Sequence, residues 1–223
     1  MLRKDPFITG QYYHIYNRGV DKRLIFGSPK DYQRFIMLLY LANSNESFRL
    51  DDIIIKQNKV FREIFEINRD ENIVSIGAWC LMPNHFHIII KQDVDGGITR
   101  FMRKLSTGYS MYFNKKNERQ GALFCGPFKS KLVGMDDNYM RQLFAYINLN
   151  PIKLSFPEWE NNKSNLNQRE FKEFLDSYKY SSYQDLVKIE REENKILNLE
   201  NFPEYFKEQN SFQSFIDNYL INS

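Results

Sequence analysis

Between Ile73 and Gln92 the chain carries two apolar runs separated by one sharp break. The first ends at Met82. Pro83 and Asn84 interrupt it, and His85-Phe86-His87 leads directly into Ile88, Ile89 and Ile90. β-Branched runs on either side of a Pro-Asn pair predict a hairpin of two strands, 73–82 and 85–92. Side chains alternate faces along a strand, so His85 and His87 share one face and Phe86 points to the other.

The same patterning assigns most of the chain. Residues 11–18 (QYYHIYNR) alternate and are rich in Tyr and Ile, predicting a first strand, with a turn over Gly19–Lys22. Ser28, Pro29 and Asp31 form a helix-start signal, and Phe35, Ile36, Leu38, Leu39 and Ala42 supply its apolar face over 29–43. A second helix is predicted over 98–116, where Phe101, Leu105, Tyr109, Tyr112 and Phe113 recur at helical spacing. Gly108 weakens it slightly. A loop follows over 117–126, then a short apolar-basic segment over 129–133. A third helix, capped by Asp136 or Asp137, runs towards Asn150, where Pro151 disfavours helical geometry. Residues 44–72 read either as a hairpin or as a strand with a helical insert. The polar stretch 161–170 reads as a loop, and the segment from 185 onward, with eight acidic and four basic side chains, as helices packed on the main domain.

Strand, helix, strand, strand, helix, helix predicts an α+β fold, a ferredoxin-like or RRM-like antiparallel sheet with helices on one face. The division expected is a domain over 1–155 and a C-terminal helical extension over 156–223. A length of 223 residues suits that arrangement.

Composition sharpens the picture in one place. The net charge is only +3, yet Arg100, Arg103, Lys104, Lys115, Lys116, Arg119, Lys129 and Lys131 are offset between positions 100 and 131 by Glu118 alone. Aromatics are interleaved with them, as phosphate contacts plus base stacking require. The alternative is a solvated basic helix face. Cys80 and Cys125 show no metal-ligand spacing and suggest no disulfide framework, which suits a reducing cytoplasm. The N-terminal stretch is too polar for a signal peptide or a membrane span, so neither export nor insertion is expected.

Candidate chemistry begins with the histidines. His85 and His87 are two of only three in the chain, and two imidazoles on one strand face make half of a metal site. The bland alternative is a pair of half-buried polar residues. Tyr146 and Asn150, four apart, share a helix face. Alternatively, Tyr146 is a half-buried helix tyrosine and Asn150 a helix stop.

The blocks YHIYNRG (13–19), DYQRF (31–35), AWCLMPNHFHIII (78–90), GYSMYFN (108–114), GALFCGPFKSKLV (121–133) and YINLNPIK (146–153) occur in an order that resembles the single-tyrosine HUH transposases, and among them the REP-associated tyrosine transposases. The resemblance spans roughly residues 10–185 and decides between the alternatives. It implies a metal-dependent single-stranded DNA endonuclease and strand transferase acting at palindromic hairpin elements through a 5′-phosphotyrosine intermediate. Tyr146 maps to the nucleophile, with Tyr109 and Tyr112 as lower-ranked rivals. His85, His87 and Asn150 map to the ligands of Mg²⁺ or Mn²⁺. Single-stranded or hairpin DNA is the implied partner, and monomers and homodimers both occur in the superfamily. His14, Arg18, Arg103, Lys104, Lys115, Lys116, Lys129 and Lys131 are the candidate nucleic-acid contacts. A non-catalytic hairpin-binding module and a water-using metal hydrolase are the competing readings.

Overall fold

The computed structural model describes residues 6–69, 71–134, 136–159, 168–204 and 211–222. Four strands form one antiparallel sheet: β1 (Tyr12–Arg18), β2 (Val74–Met82), β3 (His85–Gln92) and β4 (Lys129–Leu132), in the order β2-β3-β1-β4. β1 leads through α1 (Pro29–Leu41) to β2, and β3 leads through α3 (Gly97–Lys116) to β4. This is the ferredoxin-like connection expected from the sequence. The hairpin register pairs Met82 with His85, so Pro83 and Asn84 form a two-residue turn.

α1 and α3 pack on one sheet face against Tyr13, Ile15, Trp79, Leu81, Phe86, Ile88 and Ile90. Their close approach is permitted by Gly108, where a Cβ would lie 3.1 Å from Leu38. Ser28 occupies the N-cap position of α1 in extended geometry without making a cap bond. Its hydroxyl instead donates to the Asp31 carboxylate, which also accepts from Gly27 N–H. The ambiguous stretch after α1 is neither hairpin nor strand. It holds α2 (Leu50–Lys56) and a 3₁₀ turn over Arg62–Glu66, which bury Leu50, Ile64 and Phe65 in the same core.

The opposite face differs from the one-sided arrangement expected. α4 (Asp137–Leu149), capped by the Asp136 carboxylate through Asn138 N–H and Tyr139 N–H, crosses this face over β2 and β3. It shares a second core with Ala78, Cys80, Met82 and Ile89. Asn150 departs from expectation too. It retains helical dihedrals (φ −52°, ψ −39°), and the chain passes straight into a 3₁₀ turn over Asn150–Leu154. Proline is tolerated in the first turn of a new helical piece because its missing N–H would be unpaired there anyway.

The C-terminal segments complete the second core. α5 (Gln168–Ser177), α6 (Tyr183–Leu186) and α7 (Ser211–Asn222) contribute Phe171, Leu175, Tyr183, Phe212 and Ile216. Residues 180–182 bond to the free edge of β2, through Leu81 N–H to Tyr180 O (2.9 Å) and Ser182 N–H to Trp79 O (2.8 Å). Covering that edge removes a template for unwanted strand pairing. Phe202 lies over Gly77, where the β2–β3 ladder is irregular and a Cβ would fall 2.7 Å from its ring. Most of the polar loop predicted over 161–170 lies outside the described residues.

Candidate active site

Strand parity assembles the site. On β3, Phe86, Ile88 and Ile90 turn to the α1/α3 core while Ile89 joins the α4 core, so His85 and His87 face α4. On β1, Tyr13 and Ile15 enter the first core, which turns His14, Tyr16 and Arg18 to the α4 side. The register pairs Tyr16 with His87 and Arg18 with His85. β4 pairs Lys131 with His14 and Lys129 with Tyr16, which brings two lysines to the same surface. α4 then lays Tyr146 across the imidazoles. Its ring centroid is 5.4 Å from that of His87 and 6.3 Å from that of His14.

The result is a cleft of about 530 Å³ lined by His14, Tyr16, His87, Lys131, Tyr139 and Tyr146, among others. Tyr146 is 38% exposed, so its phenol is open to a ligand. Lys131 Nζ lies 4.3 Å from the centre of the Tyr139 ring.

The histidines are held in one network. The His85 and His87 rings are 5.0 Å apart and nearly perpendicular, at 89°. His85 Nδ1 lies 2.6 Å from Asn84 Oδ1, and His87 Nδ1 lies 2.9 Å from His14 Nε2. All three imidazoles resist protonation. Burial, then the charge of Lys131, lowers His14 to about 4. Burial, then Lys153 and Arg18, lowers His85 to about 4. Burial, then His14, His85 and Lys153, holds His87 well below its ordinary value. Each is therefore neutral at pH 7, which is the state that ligates a metal.

This donor set fits a divalent cation. Two neutral imidazoles have Nδ1 engaged, which leaves Nε2 as the available atom on each. Asn150, the third residue expected from the sequence, is buried just past the end of α4. Among the described residues no three of His, Cys, Asp and Glu gather as a metal site, and an amide ligand lies outside that set.

The remaining candidates divide. Arg18, Lys129 and Lys131 stand on the histidine face. Arg103, Lys104, Lys115 and Lys116 lie on α3, across the sheet from the cleft. Lys104 donates to Ser44 O and Glu46 O, and Lys116 pairs with the buried Asp31 carboxylate at 2.6 Å. Of those four, Arg103 and Lys115 remain exposed without such ties. The rival tyrosines lie on that far side as well. Tyr109 donates to Ile25 O, and Tyr112 donates to Asp31 at 2.9 Å. Burial raises both phenols above their ordinary value.

Two contributors were not assigned from the sequence. Lys153 places its ammonium 5.6 Å from the centre of the Tyr146 ring, and its charge reaches both His85 and His87. It lies inside the YINLNPIK block, so the block itself was the available signal. Asn84 was read only as a turn residue.

Residues 47–150 match the family model described as Transposase IS200 like, a stretch that contains His85, His87, Tyr146 and Asn150. The resemblance to tyrosine transposases is borne out by that match, which supports a transposase function. No curated protein matches at a significant level. Among solved structures, the chain is similar to one described as a REP-associated tyrosine transposase bound to a REP hairpin, at 13% identity and TM-score 0.47, covering 86% of this chain and 90% of that one. It is also similar to the tRNA(His) guanylyltransferase of Saccharomyces cerevisiae, at 12% identity and TM-score 0.35, covering 92% and 86%. No helix among the described residues is long and apolar enough to cross a membrane.

Proposed function

From a family match that spans the histidine pair, Tyr146 and Asn150, we propose that this chain cleaves and rejoins single-stranded DNA beside hairpin elements, with Tyr146 as nucleophile. The observation that carries the reading is an exposed Tyr146 whose ring centre lies 5.4 Å from that of His87, in a cleft that Lys131 also lines. His85, His87 and Asn150 would hold Mg²⁺ or Mn²⁺, and a cation bound there supplies Lewis-acid polarisation of the scissile phosphate.

The chain's own residues do the rest. The Tyr146 oxygen attacks phosphorus, the bond from phosphorus to the 3′ oxygen breaks, and a 5′-phosphotyrosine forms. The proton lost by the phenol is balanced by one gained at the departing 3′ oxygen. The phosphodiester bond energy is retained, so a 3′-hydroxyl can reverse the step without ATP. Lys153, beside Tyr146 and both histidines, is placed to attract the phosphate. Lys129, Lys131 and Arg18 extend positive charge along the same sheet face, and Tyr16 and Tyr139 offer stacking surfaces. Residues 1–155 are assigned as the catalytic domain and 156–223 as its helical support, acting in the cytoplasm as a monomer or homodimer. Cys80 and Cys125 are free thiols, as a reducing compartment allows.

A covalent-adduct assay tests the proposal. Wild-type protein, labelled single-stranded hairpin DNA and Mn²⁺ should give a slow-migrating species on a denaturing gel. Tyr146→Phe should lose it while still binding the DNA. Cleavage without an adduct would instead assign a water-using hydrolase, and binding with neither would leave a recognition module.

A further inference from the structure

His14 was a candidate DNA contact, yet it is only 8% exposed and its Nε2 is already engaged by His87. That contact constrains chemistry. The two nitrogens are 2.9 Å apart, too close for two hydrogens, or two bare lone pairs, to face each other. A single hydrogen must therefore lie between them. If His14 donates, His87 carries its proton on Nε2 and is closed to a cation. If His87 donates from Nδ1, its Nε2 keeps a lone pair facing outward. Only the second arrangement makes His87 a ligand.

His85 shows how such a ring is held. Its Nδ1 faces Asn84 Oδ1 at 2.6 Å, and a carboxamide oxygen only accepts. The Asn84 orientation is set from its other end, where Nδ2 donates to Lys22 O at 3.3 Å. His85 is thereby fixed with hydrogen on Nδ1 and the lone pair on Nε2.

We propose that His14 is a positioning residue for His87, accepting its Nδ1–H as Asn84 accepts that of His85, so that both rings present Nε2 to one cation. The inference rests on the metal reading above. Ligating histidines characteristically donate their second ring N–H to an acceptor that fixes tautomer and orientation. Here the two acceptors come from different places, one from the hairpin turn and one from the neighbouring strand.

Two measurements on the full chain without DNA test this. In the first, Mn²⁺ is titrated calorimetrically into wild type, His14→Phe, His14→Gln and His87→Ala. Phe keeps a ring and removes the acceptor, so affinity should fall roughly 10- to 100-fold, the usual consequence of losing such a partner. Gln restores a carbonyl acceptor and should recover most of that loss. In the second, nitrogen-15 spectra of the imidazoles should show His87 in wild type protonated on Nδ1, with Nε2 unprotonated and shifted by Mg²⁺. Mn²⁺ affinity in His14→Phe within twofold of wild type, or a wild-type His87 protonated on Nε2, would overturn the positioning role alone. Wild-type binding that His87→Ala leaves unchanged, or no binding at all, would overturn the metal reading together with it. If His14→Phe does not fold, by its thermal melt, the wild-type tautomer decides.

Discussion

Removing one hydroxyl at the junction of the sheet, α4 and the C-terminal segments should cost a sizeable share of stability. Ser182 is fully buried, as are Trp79 on β2 and Asn148 on α4. The Ser182 hydroxyl accepts from Trp79 N–H at 3.0 Å and donates to Asn148 Oδ1 at 2.9 Å. Asn148 is in turn fixed by Nδ2 donating to Phe144 O at 2.9 Å, two residues before Tyr146. Ser182→Ala leaves the Trp79 amide and the Asn148 oxygen without their partner among fully buried residues. An unsatisfied buried polar group costs about 1–3 kcal/mol, so the pair should cost roughly 2–4 kcal/mol after some relaxation. Urea unfolding followed by fluorescence measures it. At a slope of roughly 3 kcal/mol/M, the upper end for urea, the midpoint should fall by about 1 M. Ser181→Ala is the control. Ser181 is equally buried but accepts only Tyr183 N–H, at 3.4 Å, and should cost less than about 1 kcal/mol. A Ser182→Ala midpoint within 0.2 M of wild type, roughly 0.6 kcal/mol at that slope, would refute the assignment of this hydroxyl as the junction's polar anchor.

Three further outcomes are expected. His14 and His85 titrate near 4 when folded against an ordinary value of 6.5, so between those values the unfolded chain binds more protons than the folded one. Stability should therefore decline as pH falls from 6.5 towards 4, and equal urea midpoints at pH 7 and pH 5 would contradict that burial. Lys131→Ala should weaken single-stranded DNA binding and reduce the slope of log affinity against log salt by about one, whereas Lys104→Ala should lower thermal stability and leave that slope unchanged. Equal slope changes for the two would show that α3 also contacts DNA. Gly77→Ala places a Cβ 2.7 Å from the Phe202 ring and should destabilise by about 1–3 kcal/mol, with Phe202→Leu recovering part of it in a thermal melt of the double variant.

What the sequence disclosed follows from what each pattern encodes. Period-two alternation fixes both a strand and its faces, so the β2–β3 hairpin and the shared face of His85 and His87 were legible residue by residue. The stretch after α1 was not. Ile53, Ile54 and Ile55 form a β-branched run that reads as strand, yet they sit in a seven-residue helix whose neighbour, the 3₁₀ turn, buries Ile64 and Phe65 beside Tyr40. Pro151 did mark the end of α4, which stops at Leu149, but Asn150 keeps helical dihedrals as the first residue of the 3₁₀ turn that follows.

Topology divides the basic stripe. Charge clustering along a sequence does not say which side of a sheet a helix occupies. Right-handed crossovers put α1 and α3 on the same face of this sheet, the face that takes Phe86. The histidine face is then left to whatever follows the last strand, which is α4 with Tyr146. Parity and handedness together therefore separate the two groups of basic residues. Those on α3 lie behind the sheet, where Lys104 and Lys116 are consumed by carbonyls and by Asp31. Those on β4 share the face of Tyr146 through their register with His14 and Tyr16. Arg18, Lys129 and Lys131 are thus brought to the histidine face by strand register, and Lys153 to the Tyr146 ring by the turn that follows α4.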